Sequence, residues 1–216
     1  MNFRTYCLSV CAAVLSLAGA SAGAAEPGFY VTASLGTGTE DPKSHGTLVG
    51  NSEGIFPVEP DHIAVDSGDL AWGVGLGYRV NKYLAAEVEY IDFGTTDIAE
   101  HYTVDIPGAP VPFPGPFELT LDYPSNVTGP ALSLLGTLPV GENFELFLRG
   151  GALFSSRDVG EAFADTVWLA GAGVTWSFAK RWAIRAEFQQ TGTLGETLMS
   201  GETSVQRVSL SALFRL

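Results

Sequence analysis

The chain has 216 residues, with 24 acidic and 11 basic side chains, a formal charge of -13 and a pI near 4.4. That length suits one domain or one closed barrel. So acidic a chain is a poor match for a polyanion, which argues against nucleic acid as its partner.

The first 24 residues read as a secretory signal peptide. Arg4 gives a weakly basic start, Tyr6 to Ala20 is apolar and uncharged, and Ala22-Gly23-Ala24 has the small-residue form of a cleavage site, with Ala20-Ser21-Ala22 as a second such motif. Both cysteines, Cys7 and Cys11, fall inside this segment. The mature chain, residues 25–216, is therefore expected to hold no disulfide, no thiolate metal site and no cysteine nucleophile. Losing Arg4 as well takes the charge to -14. No later run of about 18 uninterrupted apolar residues is present, so a transmembrane helix is not expected.

Alternation with a period of two then dominates. In the first segment, Gly28 to Thr37, Phe29, Val31, Ala33 and Leu35 share one face and Tyr30, Thr32, Ser34 and Gly36 the other. In the second, Asp69 to Val80, Leu70, Trp72, Val74, Leu76 and Tyr78 alternate with small residues that end in Arg79. Tyr83 to Phe93 sets Leu84, Ala86, Val88 and Tyr90 against Ala85, Glu87 and Glu89. Gly129 to Leu138 alternates as well, although Leu135 breaks the pattern. Phe144 to Phe154 opposes Leu146 and Leu148 to Glu145, Phe147 and Arg149. The last three segments are Thr166 to Phe178, Trp182 to Gly192 and Thr203 to Leu216.

These eight segments have the length that crosses a bilayer as tilted strands. Their connections alternate between short and long. The short ones are Asn81-Lys82, Val140 to Asn143 and Ala179 to Arg181, and the long ones cover roughly residues 38–68, 94–115, 155–164 and 193–202. Short periplasmic turns opposite long outer loops are the plan of a bacterial outer-membrane barrel. The expectation is an all-β fold, an eight-stranded antiparallel up-and-down transmembrane β-barrel. In such a barrel the apolar faces meet lipid and the charged faces point inward. Arg79, Glu87, Glu89, Glu145, Arg149, Arg185, Glu187 and Arg207 then form a lumen ion-pair network of four acids and four bases. An eight-stranded lumen is just wide enough for side chains to fill, so these groups must pack and pair.

Three stretches, "GYRVNKYLAAEVEY" (Gly77 to Tyr90), "FLRGGALF" (Phe147 to Phe154) and "AGAGVTWSFAKRWAIRAEFQQTG" (Ala170 to Gly192), resemble the membrane-spanning domain of the OmpA-like outer-membrane proteins, and the resemblance covers essentially the whole mature chain except its loops. It implies an eight-stranded barrel whose ion-pair network gates a narrow conductive path. Glu87 and Arg185 correspond to the family's strand-three and strand-seven partners, and Arg149 to a family lumen arginine. Thr175 stands where the family has a strand-six glutamate, and an apolar residue near Leu134 where it has a strand-four lysine. The alternative pair that would hold an open gate is therefore missing. The family's peptidoglycan-binding domain is not found after the last strand, and the chain ends in Leu216 where such barrels usually end in Phe or Trp.

The loops carry further candidate features. Thirteen acids (Glu40, Asp41, Glu53, Glu59, Asp61, Asp66, Asp97, Glu100, Asp105, Asp158, Glu161, Glu196 and Glu202) stand there against Lys43 and Arg157. Such a surface attracts divalent cations and through them lipopolysaccharide. No calcium-loop spacing is present, so no metal site is expected. "IPGAPVPFPGPF", Ile106 to Phe117, holds five of the twelve prolines and reads as a stiff loop or a recognition segment for a host or phage protein. His45, His62 and His101 all fall in expected loops, away from the strand serines, so no nucleophile and base can be paired. The expected protein is a non-enzyme without cofactor, structural or weakly conducting in the porin-like sense, inserted through its C-terminal strand by the barrel assembly machinery. The alternatives are a surface adhesin or immune-evasion barrel acting through its loops, and a soluble exported β-protein with a ligand cavity.

Overall fold

The computed structural model describes residues 27–42, 47–51, 54–58, 61–67, 69–104, 117–158, 162–194 and 203–216. The expected signal segment 1–24, His45 and most of the proline-rich stretch lie outside these residues. So do Lys43 and the acids Glu53, Glu59, Asp105, Glu161, Glu196 and Glu202.

Eleven strands follow one another: β1 (Gly28–Pro42), β2 (Thr47–Asn51), β3 (Gly54–Val58), β4 (His62–Ser67), β5 (Leu70–Asn81), β6 (Leu84–Val104), β7 (Phe117–Val140), β8 (Phe144–Asp158), β9 (Ala162–Ser177), β10 (Trp182–Thr191) and β11 (Thr203–Arg215). Eight of them close a ring in which β1, β5, β6, β7, β8, β9, β10 and β11 each pair antiparallel with the next, and β11 pairs back to β1 from Tyr30↔Arg215 to Pro42↔Thr203. The closed eight-stranded antiparallel barrel is thus the fold. Strands β2 and β3 make a separate hairpin.

The faces are inverted relative to a soluble sheet. Leu70, Val74, Leu132, Leu148 and Trp168 stand at least half exposed on the outside, while Arg149, Arg185 and Arg207 are buried within. Outward aromatics gather at two levels. Phe29 with Tyr78, Trp182 with Phe214, and Phe144 with Trp176 mark the short-turn end, and Trp72 with Tyr90 the other. Aromatic girdles at both interfaces, flanking an apolar band, are how such a barrel is positioned in the bilayer.

The strands run well beyond the segments expected from alternation. β6 has 21 residues and β7 has 24, against the roughly 9–11 that a tilted crossing requires. Residues 38–42, 62–67, 94–104, 117–128 and 155–158 are therefore a β-wall above the membrane, not loops. Two acids leave the expected surface as a result. Glu40 and Glu100 are only 3% and 4% exposed because their strand positions turn inward, where the Tyr102 hydroxyl donates to Glu100.

A bulge organises this wall. The β6 register shifts between Asp92 and Thr95, where Gly94 adopts φ +83° and its N–H donates to Asp92 Oδ1 at 2.8 Å. One extra residue there reverses which parity faces inward. Ala85, Glu87, Glu89, Ile91 and Phe93 point inward below the bulge, and Thr96, Ile98, Glu100 and Tyr102 above it. Strand β4 pairs with this upper part of β6 from His62↔His101 to Ser67↔Thr96, continuing the line of β5.

Leu135 does not interrupt its strand. It faces inward at 0% exposure, whereas Leu134 faces out at 61%. Replacing Leu134 by Arg should destabilise the protein by about 2–4 kcal/mol in urea unfolding from phospholipid vesicles; an unchanged midpoint would place Leu134 away from the hydrocarbon.

The charged lumen as a candidate functional site

All eight sequence-identified charges, Arg79, Glu87, Glu89, Glu145, Arg149, Arg185, Glu187 and Arg207, are buried inside the barrel. Alternation on β5, β6, β8, β10 and β11 places them there. Small residues make the room: a Cβ at Gly73 would lie 2.6 Å from Glu89 Oε1, and one at Gly173 would lie 2.6 Å from the Phe147 ring and 2.2 Å from Ala186 O. The glycine-rich inner faces of β5 and β9 are the counterpart of the long charged side chains opposite.

The charges fall into two groups. Near the short-turn end Arg79 and Glu145 form a two-pronged pair, with Nη1 to Oε1 at 3.1 Å and Nη2 to Oε2 at 2.6 Å. Such fork-to-fork geometry fixes orientation as well as charge.

At mid-height three acids meet three arginines. Glu87 bridges two of them, taking Arg185 Nη1 at 2.8 Å on Oε1 and Arg149 Nη2 at 2.5 Å on Oε2. Arg149 also reaches Glu89 at 3.0 Å and Glu187 at 2.6 Å. Arg207 lies 3.6 Å from Glu89. Glu87, Glu89 and Glu187 balance Arg149, Arg185 and Arg207, so this layer has no net formal charge. That matters because one uncompensated charge in a dry interior costs several kcal/mol.

Neutral side chains that charge patterning does not reveal complete the layer. The Tyr30 hydroxyl donates to Glu87 at 2.6 Å. Arg207 donates to Ser34 Oγ at 2.6 Å and to Gln189 Oε1 at 3.2 Å, while Gln189 Nε2 donates to Glu187 at 3.2 Å. The Arg185 guanidinium sits 4.9 Å from the centre of the Phe147 ring, a cation–π contact. Inward parity on β1, β8 and β10 is the sequence signal that marks Tyr30, Ser34, Phe147 and Gln189.

Two clusters of buried apolar residues flank the layer. Tyr30, Ala85, Leu135, Phe147, Ala183 and Leu213 form one cluster between it and the Arg79–Glu145 pair. Ile91, Phe93, Val127, Ala131, Leu153, Val167, Leu169, Leu194 and Val205 form the other, on the outer side. The residues that depart from the resemblance are buried in this region. Thr175 is buried beside Arg185 and Glu145 in register, and the inward β7 position between Ser133 and Thr137 is Leu135, so the apolar replacement is Leu135 rather than Leu134.

A family model described as an outer membrane protein beta-barrel domain matches residues 8–214. Among solved structures the chain is similar to Neisserial surface protein A, with 15% identity, 87% of this chain and 97% of that one covered, and a TM-score of 0.51. It is also similar to OprG from Pseudomonas aeruginosa, with 12% identity, 92% and 99% coverage and a TM-score of 0.51. The outer membrane protease OmpT from Escherichia coli shares 8% identity over 87% of this chain and 96% of that one, with a TM-score of 0.47. At such identities the likeness is one of fold. No curated protein sequence matches the chain.

The Arg79–Glu145 pair, which lies within electrostatic reach of Arg215, gives a test of charge balance. Arg79→Met and Glu145→Leu should each cost about 3–5 kcal/mol in vesicle unfolding, and the double variant should return to within about 1 kcal/mol of the parent. Simple addition of the two losses would mean that the side chains act apart.

Proposed function

Because this chain belongs to the outer membrane protein β-barrel family and resides in the outer membrane, we propose that it is a non-conducting, non-enzymatic scaffold that holds an acidic β-wall above the bilayer. The stacking of two apolar clusters around a neutral, fully buried ion-pair layer carries this reading. An ion crossing the barrel would have to displace packed apolar side chains at two levels and break several buried pairs between them. Among the described residues, both imidazoles face outward from the wall, so no histidine stands beside the inward serines Ser34 and Ser133, and the Ser34 hydroxyl donates to Glu89 Oε1 at 3.2 Å.

A second reading, a surface adhesin or immune-evasion barrel, is favoured by the length of β6 and β7 above the bilayer. Contacts with lipopolysaccharide through divalent cations, and with host or phage proteins, belong to that wall and its connections. Insertion by the barrel assembly machinery would use β11.

Planar-bilayer recording separates scaffold from pore. The parent and Arg185→Ala should both be silent, with folding verified by heat-dependent gel mobility, since the apolar tiers survive that substitution. Discrete steps in the parent would overturn the scaffold reading. For the wall, shortening residues 106–116 should abolish host-cell binding if the protein is an adhesin and leave it unchanged if it is a scaffold only.

A further inference from the structure

Two of the three histidines, separated by nearly forty positions in sequence, meet on the outer wall. His62 on β4 and His101 on β6 are directly opposed in register, and their rings lie 6.2 Å apart, centroid to centroid, at 15° between planes. Both are exposed on the outward face. The Gly94 bulge places them there: uninterrupted alternation from Glu87 and Glu89 would have turned His101 into the barrel.

We propose that His62 and His101 form a binding site for a divalent transition-metal ion of the copper, nickel or zinc type, clamping β4 to the barrel wall. Imidazole nitrogen is a ligand these borderline ions accept readily. Two rings sharing an ion through nitrogens at roughly 2.0–2.1 Å have centroids roughly 5 Å apart, so rotation of either ring by its side-chain torsions closes the gap. One ring already has an orienting partner. His101 Nδ1 lies 3.0 Å from Thr120 Oγ1 on the next strand. In the tautomer that donates this bond, Nε2 presents its lone pair to an ion, the arrangement in which an outer partner fixes a ligating histidine.

The surroundings favour a cation. Ala99 opposes Asp122 one row along and Asp66 opposes Asp97 two rows along, and Asp61, Asp66, Asp97, Glu118 and Asp122 are all exposed. Their combined field raises the local concentration of divalent ions. Among the described residues no third histidine, cysteine or carboxylate joins the pair as a ligand group. Water would fill the remaining positions, and the expected affinity is that of a two-ligand chelate. The clamp has a mechanical consequence. β4 pairs with β6 along six residues, and an ion bridging the two strands at His62, the first residue of β4, would secure the end farthest from β5.

The test is a Cu2+ titration of the purified protein, free of affinity-tag histidines, followed by calorimetry and electron paramagnetic resonance. The parent should bind one ion with two imidazole nitrogens in its coordination sphere. His62→Asn and His101→Asn should each weaken binding at least tenfold and lose one nitrogen, while His45→Asn changes neither. Nitrogen counting on the parent itself keeps the test valid even if a variant disturbs the wall. One nitrogen or none in the parent, or equal binding by parent and the His62→Asn, His101→Asn double variant, would overturn the site.

Discussion

Every backbone N–H and C=O in the hydrocarbon layer needs a partner within the protein, and a sheet meets that demand only by closing on itself. Closure here is made by thirteen register pairs between β1 and β11. Eight strands give a small, fixed cross-section, and the remaining features follow from it. Apolar side chains go outward because lipid is there. Polar ones go inward, into a space with room for side chains and little else. Charges admitted to such a space must cancel, which is why three carboxylates and three guanidinium groups form one layer around Glu87, with a separate matched pair below it.

The layer and its two apolar tiers depend on each other. Ionic groups alone would leave spare donors facing a void, and apolar groups alone would leave the arginines without counter-charges. Phe147 and Tyr30 join the two regimes, since each belongs to the lower apolar cluster and also contacts the ionic layer, through the Arg185 cation–π contact and the Glu87 hydrogen bond. Glycines at 73 and 173 supply the complementary hollows. The lumen is therefore set by volume matching between facing strands as much as by charge.

Above the membrane a different constraint applies, because water can satisfy exposed backbone groups and closure is no longer compulsory. The chain nevertheless continues as paired strands, with β4 taking over from β5 along β6. The glycine bulge at Gly94 exchanges inside and outside for the residues of β6 beyond it. Glu100 turns into the barrel and His101 turns out, the opposite of what the lower half of the same strand implies. The loop reading of residues 94–104 failed because alternation there no longer sorts apolar from polar residues: in water above the bilayer, neither face is required to be greasy.

Sequence alone determined the barrel, its eight membrane strands, its short turns and the inward direction of all eight lumen charges. Those follow from a period of two joined to an alternation of loop lengths, and lipid makes that periodicity stringent. Pairing within the lumen was legible only where the resemblance supplied it, for Glu87 with Arg185. Glu87 meeting both Arg149 and Arg185, Arg79 choosing Glu145, and Leu135 lying inside all depend on stagger between strands far apart in sequence. The length of the outer wall and the meeting of His62 with His101 were likewise decided only by tertiary structure, because a register shift of one residue at Gly94 leaves no mark in composition yet reverses the side chains of β6 beyond it.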